Sequence, residues 1–247
     1  MSIEEAARAI LKSKRSVALT GAGISVESGI PDFRSPGGLW SKYDPMEYGH
    51  IGSFRANPKK VWQMLLEIDQ LLEKARPNKA HEVLAILEQK GLLDAVITQN
   101  IDSLHQKAGS QNVIEYHGHN RTLRCETCGK IYSKSDIDFS RIPPLCECGG
   151  LLRPEFVFFG EAIPTRERHS AETAAMDCDV MLVVGTSGSV APANYLPHIA
   201  KHHGATIIEI NPSETELPKN VLDIIIREKA GSALEKILEF IETETKK

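Results

Sequence analysis

Apolar residues along this 247-residue chain fall into two kinds of run that take turns. Residues 16–20 (SVALT), 94–98 (DAVIT), 180–184 (VMLVV), 206–210 (TIIEI) and 222–226 (LDIII) are short and nearly continuous, the pattern of strands covered on both faces in a parallel sheet. Val113 to Tyr116 reads as a further strand-like stretch. Between them the apolar positions recur at helical spacing. Ile3, Ala6, Ala7, Ile10 and Leu11 follow a Ser2/Glu5 capping box; residues 61–75 and 79–90 continue the pattern, the latter stopped by Gly91. Residues 193–203 end at Gly204, and Leu234, Ile237, Leu238 and Ile241 mark a final helix. Strand and helix alternate, which predicts an α/β fold, a Rossmann-like doubly wound parallel sheet.

Two stretches leave this alternation: residues 35–75, with Pro36-Gly37-Gly38 and a helix lacking a strand partner, and residues 119–153, which hold four of the five cysteines. Cys125 and Cys128 form C-x-x-C, Cys146 and Cys148 form C-x-C, and Gly129 and Gly149 supply tight turns beside them. Four thiolates on two such turns close a tetrahedron around one structural zinc ion with no position left open. Two disulfides are the alternative, disfavoured because cysteines on one tight turn rarely bridge each other and because no basic, apolar leader precedes the chain. The expectation is one domain over 1–247. Segments 1–34, 76–118 and 154–247 form the Rossmann-like part, and 35–75 with 119–153 form a smaller inserted helical and zinc-binding module. Cys178 stands alone before a strand and reads as buried packing.

A net charge of −4 and a pI near 6.2 argue against a dedicated nucleic-acid binder. No apolar run approaches the roughly 20 residues of a membrane span, so the chain is expected in the cytoplasm, off the membrane. The sequence does not fix the oligomeric state.

Strand 16–20 runs directly into Gly21-Ala22-Gly23-Ile24-Ser25, where small residues let backbone amides approach a pyrophosphate. Val26 stands where the third glycine of G-x-G-x-x-G belongs, so this loop alone is a weak signal and disfavours a hydride-transfer dehydrogenase. Its continuation is far more specific. GAGISVESGIPDFR (21–34), TQNID (98–102), His117-Gly118, the four cysteines, FFGE (158–161), GTS (185–187) and Ile210-Asn211 occur in an order that resembles the sirtuin (Sir2) family of NAD-dependent protein deacylases. The resemblance extends from about residue 16 to 230.

That resemblance implies an NAD-dependent protein-lysine deacetylase that passes the acyl group to ADP-ribose and releases nicotinamide. Gly21, Ala22, Gly23 and Ser25 would hold the pyrophosphate. Asp32, Phe33, Arg34 and Trp40 would also bind the cofactor, Phe33 shielding the reacting sugar on a closing loop that Asp32 and Arg34 organise. Gln99, Asn100, Ile101 and Asp102 would line the nicotinamide and its ribose, and Asn100 and Asp102 are counted with the catalytic residues. Gly185, Thr186, Ser187, Asn211, Pro212, Ser213 and Ala230 would take the adenosine end. His117 would be the general base that removes a ribose proton, a task suited to imidazole near neutral pH. His81, His105, His198, His202 and His203 receive no role.

The partner implied is an extended acetyl-lysine peptide, added as a strand between Gly160-Glu161 and the segment from Val190, with the Val157 carbonyl accepting the lysine amide and Phe159 walling the acyl tunnel. Family members that remove acidic acyl groups carry a tyrosine and an arginine where this chain has Leu65 and Ile68, which implies acetyl and apolar acyl groups as substrates. Two other readings stay open at this stage: ADP-ribosyl transfer from the same pocket, and a zinc-ribbon binding module on an NAD-sensing scaffold. In the second, Arg121, Arg124, Lys130 and Lys134 would form a nucleic-acid patch, although Glu126, Asp136, Asp138 and Glu147 lie among them.

Overall fold

The computed structural model describes residues 2–32 and 38–246. Its strands are β1 (Ser16–Thr20), β2 (Ala95–Thr98), β3 (Val113–Glu115), β4 (Gly118–Cys125), β5 (Ile131–Ser133), β6 (Leu152–Phe156), β7 (Val180–Val184), β8 (Thr206–Ile210) and β9 (Ile224–Ile226). The helices are α1 (Ser2–Lys12), α2 (Leu39–Lys42), α3 (Pro45–Tyr48), α4 (Ile51–Ala56), α5 (Pro58–Lys74), α6 (Lys79–Gln89), α7 (Leu104–Ala108), α8 (Thr165–Asp177), α9 (Leu196–His202) and α10 (Ala230–Glu244).

Six strands make one parallel sheet in the order β3-β2-β1-β7-β8-β9, the arrangement of dinucleotide-binding sheets, in which the order reverses between β1 and β7. Every residue of β1 and β7 is buried, and alternate side chains feed two cores. Ala18, Leu182 and Val184 face α1, α6 and α10, with Ile10, Leu84, Leu234 and Ile237. Val17, Leu19, Met181 and Val183 face α8 and α9, with Ala171, Ala175 and Leu196. This two-sided burial is why the strands read as unbroken apolar runs. The register is level at the carboxyl ends: Thr20 lies opposite Thr98 and Val184, Val184 opposite Ile210, and Ile210 opposite Ile226. The loops that follow therefore emerge side by side.

A second, antiparallel sheet, β5-β4-β6, carries the cysteines. One apolar core joins it to the helices before it: Phe54, Val61, Trp62 and Leu65 pack with Leu123, Leu152, Phe158, Cys125 and Cys146, and the Trp62 indole N–H donates to the Leu152 carbonyl (3.2 Å).

Several element limits differ from the sequence expectation. The sequence pattern shows nothing at 165–177, yet α8 forms there; its fully buried residues are Ala171 and Ala175, with Ala174 packed beside them on a mostly polar helix, too small a stripe to register as periodicity. Residues 193–203 open with a 3-10 turn, Ala193–Tyr195, before α9. The last strand is confined to Ile224–Ile226, because the Asp223 carboxylate takes the Ile207 N–H (2.8 Å) that a longer strand would contact through its backbone. Helix α5 starts at Pro58, capped by the Asn57 side chain, three residues earlier than its apolar pattern suggests.

Candidate active site

The loops after β1 and β7 meet backbone against backbone at the point where strand order reverses. A Cβ on Gly23 would lie 2.7 Å from the Gly185 carbonyl oxygen, and one on Gly21 2.9 Å from the same atom. Gly185 has φ +61°, and a Cβ there would come within 2.3 Å of the Ile24 nitrogen. Only glycine fits these positions. The amides of Gly21 and Gly23 donate to Val184 O (3.1 Å) and Gly185 O (2.8 Å), so neither N–H points at an anion as the sequence pattern suggests. What the two glycines give the crevice is its narrow wall. Ala22 opens a 3-10 helix, Ala22–Ser28, that carries Ser25 inward.

Beneath this wall lies a buried polar network. Asn100 donates through Nδ2 to Gly21 O (3.1 Å) and to Ser25 Oγ (3.2 Å). Ser25 Oγ donates to Asp102 (2.7 Å), whose other oxygen accepts the Leu104 N–H (2.9 Å) at the start of α7. Burial pushes the Asp102 carboxyl up, against these hydrogen bonds. Ile101, half-buried, separates the two.

The sequence reading missed the lower half of this network. His81 and His105, both buried, stand edge to face with ring centroids 4.9 Å apart. His81 Nδ1 accepts the Asn78 N–H (3.3 Å), which leaves Nε2–H directed at Ser25 Oγ (3.5 Å). Thr20 Oγ1 donates to Thr98 Oγ1 (2.9 Å) and so accepts from His105 Nε2 (2.9 Å). Nothing in the local sequence distinguishes these histidines from surface ones; their position becomes evident only when α6 and α7 pack behind β1 and β2.

Burial drives the His81 pKa down to about 4 and that of His105 to about 3, below the ordinary 6.5. Between pH 6.5 and 4 the unfolded chain therefore binds more protons than the folded one, and stability falls as pH falls. Unfolding by urea at pH 5 and pH 7 is expected to show a loss of about 2 kcal/mol at pH 5 for each of the two imidazoles. Replacing either by glutamine should flatten the dependence.

His117 sits in the turn between β3 and β4, beside the carboxyl ends of β1 and β2. Its Nδ1 lies 3.1 Å from the Gln99 carbonyl oxygen, an acceptor, so Nδ1 carries the hydrogen and Nε2 is left unprotonated in the neutral ring. Burial lowers its pKa, with the Gln99 contact opposing. The Gln99 side chain crosses to Thr186 Oγ1 (3.0 Å), tying the loop after β2 to the loop after β7.

Residues expected at the adenosine end cluster at the ends of β7, β8 and β9. Asn211 Nδ2 donates to Thr186 O (3.0 Å) and its Oδ1 accepts the Ser213 N–H (3.2 Å); Pro212 lies between them, Ser187 Oγ is 2.7 Å from Ser189 Oγ, and Ala230 opens α10. Asp32 is half-buried just past the 3-10 helix. Phe33 and Arg34 lie outside the described residues, and Trp40 falls on α2 with its side chain outside them.

The proposed peptide edge runs beside the second sheet. Val157 N–H donates to the His117 carbonyl (2.9 Å), and Phe159 exchanges hydrogen bonds with Gly49 O (2.9 Å) and Ile51 N (3.0 Å). Phe159 is exposed and Phe158 is core. Gly160 has φ +83°, and a Cβ there would meet His50 Nε2 at 2.5 Å. The Glu161 carboxylate turns inward to Arg153 instead of facing the cleft, and the Val190 carbonyl accepts the Asn194 N–H (3.0 Å).

The four sulfurs of Cys125, Cys128, Cys146 and Cys148 lie within 4.8 Å of one another. Cys125 to Cys148 and Cys128 to Cys146 measure 3.6 Å, near the edge of roughly 3.8 Å that a tetrahedron of zinc–sulfur bonds of about 2.3 Å requires. A donor set of four thiols at this spacing fits one structural zinc ion. Tyr132 Oη lies 3.0 Å from Cys146 Sγ and, with a backbone N–H, holds that thiol down to about 6, toward the thiolate a metal needs. Cys178 is buried, its pKa pushed up to about 12 by that burial. The four cations of the expected patch are paired: Arg121 with Glu115, Arg124 with Glu155, Lys130 with Glu147 and Lys134 with Asp69.

A reversing parallel sheet, a glycine-walled crevice at its carboxyl edge and a thiolate ribbon define a Rossmann-type nucleotide-binding protein with an inserted zinc module. The Sir2 family model matches residues 21–192, and the chain belongs to that family. An NAD-dependent protein deacetylase of Sulfurisphaera tokodaii is 44% identical over 249 residues, covering 99% of this chain and 98% of the relative. A solved Sir2 homolog–NAD complex is 43% identical with a TM-score of 0.90, covering 98% of this chain and 94% of that one. A solved Sir2 variant with a deacetylated p53 peptide and 3'-O-acetyl ADP-ribose is 37% identical with a TM-score of 0.92, covering 97% and 98%.

Proposed function

We propose that this chain is an NAD-dependent protein-lysine deacetylase that transfers the acetyl group of an acetyl-lysine to ADP-ribose. The observation that carries the reading is one convergence: the interlocked loops of Gly21, Gly23 and Gly185, the buried Asn100 and Asp102, and the neutral His117 all meet at the carboxyl ends of β1, β2 and β7. NAD supplies an electrophilic ribose carbon and its nicotinamide leaving group.

In this reading the interlocked loops that carry Gly21, Gly23 and Gly185 form the wall against which the pyrophosphate lies, and Gln99, Asn100 and Asp102 orient the nicotinamide ribose. His117 Nε2 accepts a ribose hydroxyl proton, and Nδ1–H stays on the Gln99 carbonyl so that the ring holds one orientation. Asn211, Ser213, Ser187 and Ala230 take the adenosine end. The acetyl-lysine peptide pairs as a strand beside Gly160 and Val190, with Phe159 at the acyl group. The smaller module, in its described residues 38–75 and 119–153, forms one wall of the cleft. No described helix is long and apolar enough to cross a membrane, and reduced thiols suit a reducing compartment, so we place the protein in the cytoplasm.

Mass spectrometry of an acetyl and succinyl peptide panel, with and without NAD, tests the reading. Acetyl groups should be lost only with NAD, one nicotinamide appearing per acetyl removed. Deacetylation without NAD would refute it. Leu65 is buried and Ile68 half-buried in the module core, with no cation offered at either position. A succinyl carboxylate left without a partner there costs about 3 kcal/mol, so succinyl kcat/KM should be roughly 100-fold lower. Equal turnover of the two would overturn this preference.

A further inference from the structure

Arg153 lies on β6 and is only 5% exposed, in the strand that leads from the cysteine ribbon to the segment 156–161. It was given no role by the motifs. Its guanidinium makes four hydrogen bonds, all forward along the chain. Nε donates to Pro154 O (3.2 Å), Nη2 to Phe156 O (2.8 Å) and to Glu161 Oε2 (2.7 Å), and Nη1 to Glu161 Oε1. Glu161 Oε2 also accepts the Phe158 N–H (3.0 Å), and the guanidinium stacks over the Phe158 ring, 5.1 Å from its centroid. One buried cation therefore gathers Phe156, Phe158 and Glu161 into a single bend, with Gly160 at the turn and Phe159 presented outward. A planar bidentate fork does this; an ammonium does not.

The same bend touches the catalytic side and the metal side. Val157, inside it, donates to the His117 carbonyl. On the other flank Leu152, next to Arg153, pairs across the ladder with the zinc ligand Cys125, and Arg153 with Arg124. The path from thiolate cluster to peptide edge is thus two adjacent residues long on β6.

We infer that Arg153, acting through the Glu161 carboxylate, is a positioning residue that sets the geometry of the edge on which an extended acyl-lysine peptide docks, and that the zinc ribbon acts on peptide binding through it. This deepens the proposed function and rests on its placement of the peptide beside Gly160. It separates two affinities that a general loss of fold would lower together, since the Arg153 contacts reach none of the loops after β1, β7 or β8.

The test uses Arg153→Lys, Glu161→Gln and the double variant, with anisotropy of a fluorescein-labelled acetyl-lysine peptide, calorimetry of NAD binding, and zinc content. Peptide affinity should fall about 10-fold or more in each single variant, with NAD affinity within about twofold of the unaltered protein and one zinc per chain. The double variant should be no worse than Arg153→Lys alone, because the two residues act as a pair. Should Arg153→Lys fail to fold, Glu161→Gln, which keeps the shape of its side chain, decides alone. Peptide affinity within twofold of normal in Glu161→Gln would overturn the inference, as would peptide and NAD affinity falling together. Anisotropy needs no turnover, so absence of deacetylation in the unaltered protein would count against the deacetylase reading and leave this measurement able to decide the role of Arg153.

Discussion

His117→Ala is expected to lower NAD-dependent deacetylation by about 10³-fold, within the 10²- to 10⁴-fold range of a positioned general base, while zinc content and the unfolding midpoint stay close to those of the unaltered chain. The fold should tolerate it because His117 lies in a turn at the end of the sheet, and the buried packing there comes from Tyr116. Activity should not tolerate it because, among the described residues, no other titratable side chain is fixed in this way by the Gln99 carbonyl. The pH profile gives a second, independent reading. Burial holds the His117 pKa below 6.5, so the neutral, proton-accepting ring persists through neutral pH and is lost as pH falls through the lowered value. The acid limb of kcat/KM should therefore fall below pH 6.5 and be absent from the residual activity of the alanine variant. A limb that survives the substitution would assign the base elsewhere.

Removal of the metal should be the larger structural event. Binding of zinc by four thiolates contributes about 10 kcal/mol or more in small modules, comparable with the entire 5–15 kcal/mol stability of a domain. Cys125 and Cys146 are themselves core residues, packed with Leu123, Leu152, Phe54 and Trp62, so freeing them breaks a shared core and not just a surface clip. Chelation, or Cys146→Ser, is expected to expose residues 118–153 to limited proteolysis and to abolish peptide turnover. The parallel sheet, whose two cores contain no ribbon residue, should keep its far-ultraviolet dichroism. Turnover that persists after zinc is lost and the ribbon is cleaved would show that the module is dispensable. A change in turnover when another divalent metal replaces zinc and the ribbon stays intact would give the metal a part in the reaction.

How much of this was readable from residues alone depended on how large a signal each feature leaves. Strands such as residues 180–184 announce themselves because both faces are buried, and four closely spaced cysteines allow few arrangements. Helix α8 was invisible because it packs through alanines. The placing of Gly21 and Gly23 at a nucleotide loop followed from their position after a strand, but the direction of their amides did not. They are turned aside by the carbonyls of Val184 and Gly185, far along the chain, contacts no local pattern contains. His81, His105 and Arg153 share that character: each is polar by type, buried by tertiary packing, and recognisable only from the partners that packing brings.

The interlock of Gly21 and Gly23 with Gly185 bears on how tightly a dinucleotide is held. Because the loops after β1 and β7 are already fastened to each other by Gly23 N to Gly185 O and Gly21 N to Val184 O, the wall between them does not have to be frozen when ligand arrives. Binding there carries little ordering cost, and affinity gained at that wall is retained in full. Those two amides should exchange slowly with deuterium in the empty protein and hardly slow further when it is saturated, marking a surface that is finished before its ligand comes.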